Sequence, residues 1–376
     1  MPRQLPAHPD QITAGWLTTA LRSSGVLRSG SAASVRSDVI GADRGFTGVI
    51  ARLKVVYAGL EPDERPPDSL VAKFPMAERA VPSVHSTRRR DDAVARAQFE
   101  RGVREIQFYR EAALAGRVPA PRLYFGGSEP AMRVVLLLED VADAVPGDNL
   151  AGCSPAQARA VVNHLADLHA WGWQHPAPAW LPESTGDYDA FATRYAGYVG
   201  PFLALWGDRL PAPVTQIVRR LAGSLTAVLV ELDAAPATIV HGDVHLDNIM
   251  FTGPDASRPV LLDWQGVRRG TGAVDVVAFV VGSLDVEARR EHGDKIFADY
   301  LGVLAEHGVT GYSMEQLRRH AQLVLLRRVA GAIGWVLNAN SGAVSPRERA
   351  MVDAQFGDGR LTSALVDYDV AERLPA

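Results

Sequence analysis

The chain has 376 residues, 39 Lys and Arg against 43 Asp and Glu, a formal net charge of -4, and 47% apolar residues. That length exceeds one compact core, the apolar content argues against long disorder, and the interspersed charge excludes the basic stripe of a nucleic-acid binder. Cys153 is the single cysteine, which excludes an internal disulfide and fits a reducing, cytoplasmic setting.

Residues 9–24 place Ile12, Trp16, Leu17, Ala20 and Leu21 on one helical face. An extended run to Ile40, a glycine-rich turn over 41–48 and alternation over 49–57 predict a β-hairpin. A third strand over 70–75 carries Lys73 and ends at its proline. Residues 78–92, including the run Arg88, Arg89 and Arg90, read as a solvated loop. Helical periodicity then runs from about 94 to 114 around Glu105, closed by Gly116. Strands follow over 122–125 and 133–138, the latter ending at Glu139, Asp140 and Val141.

Beyond Val141 the pattern is mainly helical, which divides the chain into lobes 1–141 and 142–376. Ser154-Pro155 is a helix start, with an N-cap followed by proline at the first helical position. A further helix is expected over 214–233, a short strand over 238–240, an extended run over 259–262, and helices from about 274, 287, 314 and 347. The N-terminus carries no apolar core, so no signal peptide is expected, and no apolar run is long enough to span a bilayer. His169 reads as a packed helix histidine, and the tryptophans of the second half as core. The helix over 317–337 reads equally as lobe core or as a wall of an acceptor pocket.

The informative stretch is His241-Gly-Asp243-Val-His245-Leu-Asp247-Asn248, followed by Asp263-Trp-Gln265. An aspartate and an asparagine five apart on one loop, with a second aspartate at the end of a nearby strand, is the layout kinases use. One aspartate lies near the acceptor hydroxyl, while the asparagine and the other aspartate supply the hard oxygens that magnesium prefers. Lys73 and Glu105 precede this stretch in kinase order. His241 and His245 are expected to brace the loop, and Asp247 to be solvated or to cap a turn.

These motifs resemble the aminoglycoside phosphotransferase and choline kinase group, particularly its ecdysteroid-kinase-like branch. The resemblance implies an α+β, protein-kinase-like two-lobe fold, with an antiparallel N-terminal sheet plus one main helix and a mostly helical C-terminal lobe. It implies Asp243 as catalytic base, Asn248 and Asp263 as Mg2+ ligands, and a structural role for Asp275. Lys73 and Glu105 would hold the phosphates of ATP or GTP. Gly45, Phe46, Thr47 and Gly48 would let backbone amides approach those phosphates, and the backbone at Glu139 and Val141 would meet the base. The expected activity is transfer of the terminal phosphoryl group to a hydroxyl of a small molecule.

A protein acceptor is disfavoured because only twelve residues separate Asp263 from Asp275 and no Ala-Pro-Glu follows. The balanced charge after Gly270 favours a neutral or partly apolar alcohol over a polycationic aminoglycoside. Two other classes remain as alternatives. One is a metal-dependent hydrolase using His241, Asp243, His245 and Asp263; the other is a catalytically inactive kinase-fold binding protein.

Overall fold

The computed structural model describes residues 4–41, 48–76, 88–113, 116–141, 143–183, 186–339, 346–357 and 359–375. The chain forms two units, Met1–Asp143 with Leu261–Gly266, and Ala144–Val260 with Val267–Ala376. The sequence reading put everything beyond 141 in the second lobe. Instead the chain returns to the first unit for the segment that carries Asp263.

In the first unit, a 3-10 turn at Pro9–Gln11 leads to α1 (Ala14–Ser23), whose N-cap Thr13 accepts from the Trp16 amide. Then come β1 (Ser31–Ile40), β2 (Val49–Ala58), β3 (Ser69–Phe74), α2 (Arg88–Phe108), β4 (Leu123–Glu129) and β5 (Arg133–Glu139). The strands form one five-stranded sheet in the order β1-β2-β3-β5-β4, and every pairing is antiparallel. Side chains alternate across a strand. Accordingly Leu70, Ala72 and Phe74 of β3 share a core with Leu17 and Leu21 of α1, while Lys73 faces the other way, toward α2. Helix α2 begins at Arg88, not near residue 94, so the arginine run opens a helix. It ends in a π-helical turn, Tyr109–Ala113.

Gly48 sits at a φ of +83°, and a Cβ there would lie 2.2 Å from the Phe74 carbonyl oxygen. Glycine is therefore required where the β2 entry crosses the end of β3. That is a different reason from the phosphate approach expected for it. Gly45, Phe46 and Thr47 lie outside the described residues.

The second unit holds β6 (Val145–Pro146), α3 (Pro155–Gln174), α4 (Tyr188–Trp206), α5 (Ala212–Leu221), α6 (Leu225–Asp233), β7 (Thr238–Val240), β8 (Ile249–Thr252) and β9 (Arg258–Leu261), whose last residue falls in the first unit. It continues through β10 (Arg268–Gly270), α7 (Ala273–Ser283), α8 (Val286–Glu306), α9 (Met314–Ala339), α10 (Pro346–Gln355) and α11 (Arg360–Asp367). Ser154 caps α3 in a reciprocal box with Gln157. The helix expected over 214–233 is two helices, interrupted at 222–224 around Gly223. Helix α9 buries Leu317, Val324, Leu325, Val329 and Ile333 against α4, α6 and α7, which makes most of it core. Among the described residues no helix is long and apolar enough to cross a membrane.

Candidate active site

Lys73, Glu105 and Asp263 meet inside the first unit. Lys73 Nζ donates to both carboxylate oxygens of Glu105, at 2.9 and 2.8 Å, and to Asp263 Oδ1 at 2.5 Å. The Lys73 and Glu105 side chains are 7% and 0% exposed, whereas Asp263 is 14% exposed. A surface lysine–glutamate pair contributes only about 0–1 kcal/mol. Burial makes it a different object, because an ammonium and two carboxylates out of water carry a desolvation cost that their attraction only partly offsets.

Burial works against the Lys73 charge, but Asp263 and Glu105 outweigh it and hold the proton on the lysine. Burial raises the Glu105 pKa, with Lys73 opposing and the Asp263 charge adding to the rise. With both carboxylates ionised the trio carries one net negative charge.

The segment around Asp263 is fixed by α2. Trp264 is fully buried with its ring stacked on Phe108 at 3.8 Å, and its Nε1 donates to Leu261 O. Arg104 donates to Gln265 O, and Leu261 N donates to Pro119 O. Between these anchors Asp263 adopts a φ of +60°, uncommon for a residue with a side chain. Such a conformation costs on the order of 1–3 kcal/mol and persists only where neighbours enforce it. Gln265 Nε2 reaches Asp263 Oδ2 at 3.3 Å.

Of the segment ending the first sheet, Glu139 closes a reciprocal contact with Arg122, donating its amide to Arg122 O and accepting from Arg122 N. Asp140 had no reading from sequence. Its buried carboxylate accepts from Arg52 Nε at 2.7 Å and Ser69 Oγ at 2.5 Å, and against the effect of burial these partners hold its pKa low. Val141 is half-buried beyond it.

In the second unit, β7 delivers the chain to His241 and a turn through Gly242 at a φ of +79°. Asp243 is left 55% exposed, with Oδ1 3.9 Å from His245 Nε2. Asn248 is buried, and its Nδ2 donates to Asp243 O at 3.0 Å and faces His245 Nε2 at 3.0 Å. With its N–H groups turned to the loop, Asn248 offers a cation its side-chain oxygen, the donor type magnesium prefers.

Asp275 is the keystone beneath this loop. One of its oxygens accepts from His241 N at 2.6 Å and the other from Gly242 N at 2.9 Å. His169, fully buried, places Nε2 3.3 Å from Asp275 and Nδ1 3.0 Å from the Tyr300 hydroxyl. Burial disfavours the Asp275 charge, yet His169, His241 and the Gly242 amide together hold its pKa below the usual carboxylate range. Asp247 differs from its expected solvated role. It is buried, accepting from Asn149 N at 3.2 Å, Asn149 Nδ2 at 3.1 Å and Arg347 Nη2 at 3.1 Å.

Sequence reasoning missed Asn149, which also accepts from Leu246 N and contacts His245 Nδ1. It lies about a hundred residues before the loop, with no local pattern to mark it. His241 is buried and accepts from Asp243 N, so both loop histidines brace the chain. Among the described residues no group of three or more His, Cys, Asp or Glu side chains is placed to hold a metal ion.

The family model described as a phosphotransferase enzyme family matches residues 86–312. A search of curated protein sequences finds no match. Among solved structures, an aminoglycoside phosphotransferase-like protein of Ralstonia eutropha JMP134 superposes with a TM-score of 0.55 at 16% identity, over 91% of this chain and 94% of that one. Amicoumacin kinase hAmiN, in complex with AMP-PNP, Ca2+ and Ami, gives 0.53 at 12% identity, over 93% of this chain and 92% of that one. A GDP complex of an aminoglycoside 2'-phosphotransferase IIIa variant gives 0.50 at 14% identity, over 96% of this chain and 98% of that one. The match is to the family as a whole and does not single out the ecdysteroid-kinase-like branch. With a protein-kinase-like fold over nearly its full length and a family model over more than half of it, the chain belongs to the phosphotransferase enzyme family.

Proposed function

We propose that the enzyme transfers the terminal phosphoryl group of ATP or GTP to a hydroxyl of a small molecule, with Mg2+ as cofactor. The observation that carries this reading is the buried trio of Lys73, Glu105 and Asp263. A buried ammonium shared by two carboxylates is weak as a stabilising device. It is well suited to hold a lysine rigid toward a triphosphate and to keep one carboxylate ready for a cation. The nucleotide-bound states of two structural neighbours, with AMP-PNP and with GDP, support a nucleoside triphosphate donor.

In this reading the first unit binds the nucleotide. Lys73, held by Glu105, orients the phosphates, and the backbone at Glu139 and Val141 meets the base. The second unit supplies the base and the acceptor pocket. Asp243, half-exposed on a loop fixed by Asp275, accepts the hydrogen bond of the acceptor hydroxyl and then its proton. Asn248 and Asp263 would hold Mg2+, which when bound neutralises charge on the phosphate oxygens. Positioning and charge stabilisation account for most of the rate. The single cysteine and the absence of disulfides support a cytoplasmic setting.

The test is nucleotide consumption across a panel of small alcohols. Asp243→Asn is expected to lower kcat by roughly 10²–10⁴-fold, the share typical of a positioned general base, with nucleotide affinity unchanged. Equal turnover in this variant would overturn the assignment.

A further inference from the structure

We infer that Arg347 is a positioning residue for phosphoryl transfer: from α10 it holds Asp247, and through Asp247 the turn that presents Asn248. The inference rests on the kinase reading above and concerns how the same site is kept in shape.

Two segments run side by side at this turn. β6 is antiparallel to β8, with Val145 opposite Phe251 and Pro146 opposite Met250, and Gly147 N donates to Ile249 O. A Cβ added at Gly147 would collide with Leu246 O, so the two backbones touch directly there. The approach brings two carboxylates together, Asp148 on one segment and Asp247 on the other, and like charges so placed repel. One guanidinium joins them. Arg347 Nη2 donates to Asp148 Oδ1 at 2.9 Å and to Asp247 Oδ1 at 3.1 Å. A second arginine, Arg360 of α11, holds the backbone of the same segment, donating to Asn149 O at 2.7 Å and Leu150 O at 3.2 Å.

Asp247 is the costlier of the two charges to leave without a cation, because its side chain is 8% exposed against 40% for Asp148. Its contacts with Asn149 come from neutral donors. Asn248 follows it directly and closes the 3-10 turn Leu246–Asn248, with its amide donating to His245 O. A displaced Asp247 therefore moves the residue that carries the cation-binding oxygen.

The setting of Arg347 in its helix argues against a packing role. Among the described residues α10 buries Val352 alone. The chain just beyond its other end is seated by Phe356, whose ring lies 5.4 Å from Phe202 and 5.6 Å from Trp206. Ion pairs drawn out of water add little net stability, whereas a planar fork fixes where its oxygens stand.

The experiment separates the shape of the loop from turnover. Hydrogen exchange is followed in the metal-free enzyme at the amides of Leu246, Asn248 and Ile249, which donate to Asn149 Oδ1, His245 O and Leu246 O. Mn2+, a probe with the same preference for oxygen ligands as Mg2+, is titrated by electron paramagnetic resonance with an unhydrolysable ATP analogue present. Turnover is measured on the acceptor found in the alcohol panel.

Arg347→Gln is expected to speed exchange at these amides at least about tenfold and to weaken Mn2+ binding by about 10–100-fold, the range typical for partners that orient a metal ligand. It should lower kcat and leave the nucleotide KM unchanged. Arg347→Lys should recover part of each effect, as lysine keeps the charge without the fork. Arg209→Gln removes the exposed ion pair between Arg209 and Asp353 of α10 and should leave all three readouts unchanged. In an Asp247→Asn background, Arg347→Gln should change Mn2+ affinity by less than about twofold, because the two residues act as one unit.

Unchanged exchange and Mn2+ affinity in Arg347→Gln would overturn the inference. So would an equal loss in Arg209→Gln, which would reduce the effect to the seating of α10, or full additivity with Asp247→Asn. Exchange that rises equally in the buried strand β7 would give Arg347 a general role in the fold and overturn it too. Faster loop exchange in a protein that phosphorylates no alcohol would sink the kinase reading and leave the bracing of the loop by Arg347 standing.

Discussion

Replacing Asp275 by asparagine tests the structure at the point where the loop carrying Asp243 is tied to the helical core. The carboxylate accepts from the His241 and Gly242 amides through different oxygens, so the isosteric amide can keep one contact and must turn an NH2 group toward the other N–H. Hydrogen bonds to a charged acceptor contribute about 1.5–3 kcal/mol each, and an unsatisfied buried donor costs about 1–3 kcal/mol. The expected loss is therefore about 3–5 kcal/mol, a large part of the stability of an ordinary domain.

The assay is urea denaturation of both proteins at pH 7 and through the acid range. Asp275 has a depressed pKa in the folded state, so its contribution is complete above the unfolded value of about 3.9 and is lost as pH falls through the folded pKa. The gap between the proteins should stay constant down to about pH 4 and close below it. A difference under about 1 kcal/mol at neutral pH, or a gap that persists unchanged in acid, would refute the keystone role.

Lys73→Met removes the ammonium that bridges a buried pair of carboxylates and is expected to cost about 3–5 kcal/mol by urea denaturation; a value under about 1 would contradict the burial of the trio. Gly272→Ala places a Cβ 2.4 Å from the Tyr300 hydroxyl and 2.6 Å from His169 Nδ1, and should lower stability by about 1–3 kcal/mol through overpacking. An unchanged thermal midpoint would argue against that packing. Burial pushes the Cys153 thiol up to about 12, so alkylation at pH 8 should run about a thousandfold slower than for an exposed cysteine and accelerate on unfolding. Rapid alkylation of the native protein would contradict this half-buried placement.

Much of the fold was legible because local signals agreed with it. Alternation gave β2 and β3, the Ser154-Pro155 cap gave α3, and the short apolar run before His241 gave β7. Helix α4 escaped because Gly197, Gly200 and Pro201 interrupt its pattern, and tertiary packing overrides those breakers. Helix α2 starts earlier than its apolar periodicity because its first turns are charged, so hydrophobic spacing cannot report them.

At the site, spacing singled out Asp243, Asn248 and Asp263 as candidates, and element order singled out Lys73 and Glu105, which the fold brings into contact with Asp263. It could not find Asn149 or Arg347, which reach Asp247 across about a hundred residues of sequence separation. Nor could it tell a solvated Asp247 from a buried one.

The return of Leu261–Gly266 to the first unit has a consequence for dissecting the protein. A fragment ending at Asp143 would retain the whole sheet and α2 but lack Trp264, leaving Phe108 with an uncovered ring. Expressed alone, such a half should be sticky and poorly ordered. Supplying a synthetic peptide spanning 258–268 should restore its solubility, making the hexapeptide insertion behave as a detachable plug.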